Sequence, residues 1–202
     1  MKNNSKPSFI EEARRKQIIQ TAVDSIALKG YCNTSLDDIA KNAGISKSVI
    51  SYYFKYKDNL LMEMTETLVS DMNNYIKSQV NACETATEKM HAYVIASLDY
   101  FNSNRNNFLV TLDIGINFKF REYNNLLNPV VYDICRNNIK KILILGQQRD
   151  EFKEHLSLKT MPSIIQGTID GLGLQWVVDQ DSVSLEECKD IIISMIDCLI
   201  KK

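Results

Sequence analysis

Glycine and proline are scarce, seven and three in 202 residues, and no stretch alternates apolar with polar residues cleanly enough for a half-buried strand. Without frequent turn residues a many-stranded sandwich or barrel is excluded, and the expected fold is all-α. The five cysteines, Cys32, Cys83, Cys135, Cys188 and Cys198, are odd in number and widely spaced, with no CxxC pair. That excludes a disulfide framework and a zinc site, and it suits a reducing cytoplasm. Buried, small apolar roles are expected for them, with a thiol sensor as the alternative. There are only two histidines, His91 and His155, and no GxSxG, glycine-rich phosphate loop or HExxH. An enzyme is therefore not expected, and neither a cofactor nor a metal is implied. No apolar run is long enough to span a bilayer, and no basic start leads into an apolar run with a cleavage site. A soluble, cytoplasmic chain with no membrane partner is expected.

What is present is apolar content of 45%, ample for a small domain and a medium one, and an uneven charge distribution. Residues 1 to 60 hold ten Lys/Arg against six Asp/Glu, and the remainder holds fourteen against nineteen. A basic first third beside an acidic body fits a polyanion-facing module on a body that does not touch the polyanion, although chance imbalance could produce the same numbers.

The most informative stretch runs from Ser35 to Leu60, SLDDIAKNAGISKSVISYYFKYKDNL. Ser35 can cap a helix that starts with Asp37 and Asp38, where the positive end of the dipole favours carboxylates. Leu36, Ile39, Ala40 and Ala43 give that helix one apolar side, and Gly44 can end it in a left-handed turn. Ser46 can cap a second helix from Lys47 to about Phe54, which keeps only Ile45, Ile50 and Phe54 for the interior. Its outward positions are Lys47, Ser48, Ser51, Tyr52 and Tyr53, a cation, hydroxyls and phenols with very little acid. A short helix of that chemistry after a glycine turn fits a DNA major groove; an ordinary surface helix is the competing reading.

GISKSVISYYFKYKDNLL resembles the DNA-binding signature of the TetR/AcrR family of bacterial transcriptional regulators. The resemblance is carried by Gly44, Ile45, Ser46, Ile50, Tyr52, Tyr53, Phe54, Lys57 and Leu60. Ser48 stands where many members have glycine and Ser51 where many have tyrosine, which bears on the operator sequence and not on the fold. Residues 11 to 29, ending at Gly30-Tyr31, are similar to the family's first helix. The resemblance implies a flexible arm at 1–10, a three-helix helix-turn-helix domain at 11–57 (motif about 35–54), and a larger helical effector-binding and dimerisation domain at 58–202, about nine helices in all. It implies DNA contacts by Thr34, Ser35, Lys47, Ser48, Val49, Ser51, Tyr52, Tyr53 and Lys57.

Beyond Leu60, helical spacing continues to about Ile76, then over 88–102, 105–120, 124–145 (closed by Gly146), 158–179 and 184–200, with 147–155 read as a polar loop. The family's middle helices enclose an effector cavity, for which Met64, Tyr100, Phe101, Phe108, Asn117, Phe118, Met161, Gln166 and Trp176 are candidates; plain core packing is the competing role for each. Gly167, Gly171 and Gly173 each cost about 1 kcal/mol inside a helix, so a closely approaching neighbour is expected there. In the family the last two helices form a four-helix bundle with those of a second subunit. That places Gly167, Gly171, Leu174, Ile192, Met195 and Leu199 at a homodimer interface, the alternative being a helix pair within one chain. A repressor bound to a palindromic double-stranded operator and released by a small-molecule effector is the function so implied. A helical ligand-binding or protein-interaction module without operator binding is the alternative.

Overall fold

The Ser8 hydroxyl accepts the Glu11 amide at 3.2 Å and caps the start of α1, Phe9–Lys29. The computed structural model describes residues 8–117 and 128–202. Helix α1 therefore claims Phe9 and Ile10 from the expected arm. Acids at Glu11 and Glu12 and a base at Lys29 match the helix dipole, and Gly30 closes the helix at φ 78°, where a side chain would be strained. Helix α2 (Leu36–Asn42) starts in a capping box, with Ser35 and Asp38 satisfying each other's backbone N–H groups. Gly44, at φ 65°, turns the chain into α3 (Lys47–Tyr53). Ser46 does not cap α3 through its side chain as expected; its hydroxyl is 2.7 Å from that of Ser48.

Helix α4 (Lys57–Asn81), α5 (Ala86–Ser103), α6 (Arg105–Asn117), α7 (Asn128–Gln148), α8 (Met161–Val178) and α9 (Leu185–Ile200) complete nine helices among the described residues, with no strand ladder beyond one isolated bridge between Phe152 and Lys201. The all-α expectation holds.

Two compact units are present. The first contains the chain up to Leu68 together with α6 from Asn106 on. Its interior is Ile18, Ala22, Val23 and Ile26 of α1, Ile39 of α2, Ile50 and Phe54 around α3, and Leu60, Leu61 and Met64 of α4, all at most 1% exposed. At about 1.5–3 kcal/mol for each large aliphatic side chain, this burial is what holds two seven-residue helices that could not persist alone. The two units meet inside α4, after Leu68. Within the first unit Asp113 of α6 accepts the Tyr31 amide at 2.6 Å.

The second unit runs from Val69 to Arg105 and from α7 onward. Here α5 packs against α7, α8 and α9, burying Met90, Tyr93, Val94, Leu98 and Phe101 with Ile139, Leu143, Ile165, Ile169, Ile192 and Ile196. Gly146 does not end α7, which continues to Gln148. A Cβ on Gly146 would lie 2.0 Å from the Phe152 ring, so the glycine makes room for a fully buried phenylalanine from the segment expected to be a polar loop. Residues 118–127, which include the expected pocket residue Phe118, lie outside the described residues, as does the side chain of Asn117.

Of the cysteines, Cys135 is buried as expected, and burial pushes its thiol up to about 11. Cys32 and Cys198 are exposed instead, while Cys83 and Cys188 are half-buried.

Candidate nucleic-acid interface

Ile50 and Phe54 anchor α3 from one side, so residues a turn apart from them must face outward. Lys47, Ser48 and Ser51 are exposed, Tyr52 is 80% exposed, and Val49 and Tyr53 are half-buried. The Tyr52 and Tyr53 rings meet edge to face with centroids 5.1 Å apart, which stiffens the projecting phenol. Lys47 reaches Asp37 of α2 at 2.6 Å, but both partners are more than half exposed, so the pair is readily exchanged for an external anion. The face thus presents one cation, hydroxyl groups and a phenol. Lys55 and Tyr56, both exposed just beyond α3 with the ammonium 5.2 Å from the ring centroid, extend this surface; the motif-based reading omitted them.

Two expected contacts point inward. Thr34 is only 2% exposed, and its hydroxyl donates to the carbonyls of Gly30 at 2.8 Å and Ser25 at 3.3 Å. Lys57 donates to the carbonyls of Tyr31 at 3.0 Å and Thr34 at 2.5 Å, and its ammonium stands 4.2 Å from the Tyr31 ring centroid. Burial lowers its pKa, with the nearby Cys32 and Asp58 opposing. Both residues therefore fix the α1–α2 turn rather than face outward. Ser35 remains exposed, although its hydroxyl is engaged in the capping box. Asp38 is held well below the usual carboxylate range, first by its hydrogen bond from Lys29 and then by Ser35.

The expected effector-pocket residues that are described are divided between the two units. Met64 and Phe108 are core residues of the first unit; Tyr100, Phe101, Gln166 and Trp176 are buried in the second, and Met161 is half-buried there. Gln166 is held from both sides, accepting the Tyr93 hydroxyl at 2.7 Å and donating to Asp170 at 2.8 Å. Burial pushes the Asp170 carboxyl up to about 6, against the lowering by Gln166. A cavity of about 280 Å³ does lie in the second unit, between α4, α5 and α7, and its lining contains none of the expected residues.

The α8–α9 face behaves differently. Leu174, Ile191, Met195 and Leu199 are 41–70% exposed, and among the described residues no atom outside α8's own backbone comes within 4 Å of a Cβ built on Gly167 or Gly171. An apolar hollow of about 380 Å³ is lined by Gly167, Gly171, Ile192 and Met195 among others. Ile192 itself is 3% exposed and forms the floor of this hollow. Among the described residues no helix is long and apolar enough to cross a membrane, and no group of His, Cys, Asp and Glu is placed to hold a metal ion.

Comparison with known proteins agrees with this geometry. Residues 18–64 match the family of bacterial regulatory proteins of the tetR type, and residues 62–197 match the C-terminal region of YsiA-like proteins. The fatty acid metabolism regulator protein of Bacillus subtilis (strain 168) is 26% identical over 183 residues, covering 89% of this chain and 92% of that protein. The crystal structure of FadR from Bacillus subtilis in complex with stearoyl-CoA superposes with a TM-score of 0.79 at 24% identity, over 90% of this chain and 96% of that one. A transcriptional regulator from Saccharomonospora viridis in complex with choline gives 0.81 at 24% identity, over 95% and 99%. With both halves of the chain matched, from the helix-turn-helix to the last helix, the chain belongs to the tetR family of bacterial regulatory proteins, DNA-binding repressors controlled by small-molecule effectors.

Proposed function

We propose that the chain acts in the cytoplasm as a twofold homodimer on a palindromic operator, each copy laying α3 in a major groove. Lys47, Ser48, Val49, Ser51, Tyr52 and Tyr53 read or grip the duplex, Ser35 stands at the backbone, and Thr34 and Lys57 position the turn beneath them. The observation that carries this reading is the outward face of α3: no acid on the helix, Tyr52 80% exposed, and Ile50 and Phe54 locking its rotation from below. Two such helices about 34–36 Å apart, or a multiple of that, meet successive turns of one face of the duplex. The second copy is supplied by α8 and α9. Gly167 and Gly171 let a foreign helix approach closely, while Leu174, Met195 and Leu199 surround the hollow floored by Ile192. The second unit receives an amphipathic effector that binds the form unable to hold DNA more tightly than the form that can, since only such a difference shifts the equilibrium.

A mobility-shift assay with the chain's own upstream intergenic DNA tests the proposal. Tyr52→Ala should weaken the shift at least about tenfold, the loss of one good contact, and Lys47→Ala should reduce the slope of log affinity against log salt by about one. Met195→Lys should leave the free protein monomeric in sedimentation and abolish the tight shift. No shift at low salt with any native intergenic fragment, or a shift indifferent to Tyr52 and Lys47, sinks the reading in favour of a helical module that does not bind an operator.

A further inference from the structure

Seven residues are too few for α3 to hold its shape alone, and its last turn carries no basic residue of its own. A cation reaches it from α1. The Arg15 guanidinium lies 5.8 Å from the Tyr53 ring centroid and 5.2 Å from that of Phe54, within the range of a cation–π contact. Its Nη1 donates to Glu63 Oε2 on α4 at 2.7 Å, and its Nε stands 3.8 Å from Glu11 Oε1. One side chain of α1 thus touches both the end of α3 and the side of α4, all within the first unit.

The Arg15 side chain is 29% exposed and that of Glu63 39%, so solvent screens the ion pair and its own contribution to stability is small. Its effect is geometric. A planar guanidinium held by a carboxylate keeps its face on the rings, whereas a lysine ammonium on its flexible stem can turn away. Phe54, at 1% exposed, is fixed by burial; the half-buried Tyr53 is the ring whose direction a neighbour can decide. That ring in turn meets Tyr52 edge to face at 5.1 Å, and Tyr52 is the projecting phenol of the groove face. A line of contacts therefore runs from Glu63 through Arg15 and Tyr53 to Tyr52.

We propose that Arg15 is a positioning residue for operator recognition: it sets the direction of the Tyr53 ring, and through it the reach of Tyr52, without touching DNA itself. This rests on the reading that α3 enters the groove.

The test compares Arg15→Lys, which keeps a cation for Glu63 and removes the planar group, with Arg15→Gln, which removes the charge as well. In Arg15→Lys operator affinity should fall about twofold to fivefold per copy, the contribution of one exposed cation–π contact, and so about fourfold to twenty-fivefold for two copies. Affinity for a non-specific duplex of the same length should stay at the wild-type value, because that binding rests on phosphate charge. In a Tyr53→Ala background Arg15→Lys should cost nothing further, and Arg15→Gln should leave the slope of log affinity against log salt unchanged. Without DNA, the Tyr52 and Tyr53 ring resonances should shift in Arg15→Lys while the rest of the spectrum is preserved. Equal weakening on operator and non-specific duplex marks a merely structural role and overturns the proposal. So does a slope lower by about one in Arg15→Gln, which makes Arg15 a phosphate contact. An undiminished effect of Arg15→Lys in the Tyr53→Ala background overturns it too. If the wild type shifts no operator, the groove reading fails by itself; unmoved Tyr52 and Tyr53 resonances in Arg15→Lys would then overturn the positioning as well, and moved ones would uphold it.

Discussion

Removing the Asp113 carboxylate should loosen the turn on which the DNA-reading helices are mounted. Oδ2 of Asp113, on α6, accepts the Tyr31 amide at 2.6 Å, immediately after Gly30 at φ 78°. The Tyr31 carbonyl in turn takes the Lys57 ammonium from the start of α4 at 3.0 Å. One backbone turn is thus gripped from two helices, and it leads directly to Ser35 and α2. A hydrogen bond to a charged acceptor contributes about 1.5–3 kcal/mol net. At about 1.36 kcal/mol per factor of ten, Asp113→Ala should raise the hydrogen-exchange rate of the Tyr31 amide roughly tenfold to a hundredfold, provided exchange proceeds by local opening. Asp113→Asn retains an acceptor oxygen without the charge and should fall between wild type and alanine. Operator affinity should fall in the same order although no groove-facing side chain has changed. If Tyr31 exchange in Asp113→Ala stays within a factor of two of wild type while α6 remains helical, α6 is not what holds this turn.

Asp170 should make the protein more stable as pH falls from 7 towards 5. Its folded carboxyl is pushed up to about 6, above its unfolded value, so the folded state binds the extra proton in that window and the burial cost of the anion is relieved. In Asp170→Asn the melting temperature should be higher at pH 8 and the difference between pH 8 and pH 5 should shrink; an unchanged difference would refute the assignment. Gly146→Ala places a methyl group 2.0 Å from the Phe152 ring and should cost about 1–3 kcal/mol, read as a lower urea midpoint. Adding Phe152→Leu should recover part of that loss, and failure to recover would mean the clash is relieved elsewhere.

The helix-turn-helix was legible because its signals are local. Ser35 and Asp38 cap within four residues, Gly44 makes its own left-handed turn, and Ile50 and Phe54 are one helical turn apart, so short-range chemistry suffices to orient α3. What escaped the sequence reading depends on how the chain folds back on itself. Thr34 and Lys57 occupy motif positions that suggest DNA contact, yet the carbonyls left open at the α1–α2 turn draw both side chains inward. Gly146 has the position of a helix terminator, and only the Phe152 ring shows that its missing side chain serves packing.

The cavity shows the same limit more sharply. Met64, Tyr100, Phe101, Phe108 and Trp176 of the expected effector pocket are buried, and helical spacing alone does not distinguish a residue that lines an enclosed pocket from one that fills an interior. In the second unit, three helical faces with a 3.6-residue repeat meet at one hollow, a convergence that no single helix contains and that appears only when the three are packed together. The set of residues that lines a hollow is therefore a product of tertiary packing, and it was inaccessible until α4, α5 and α7 were placed side by side.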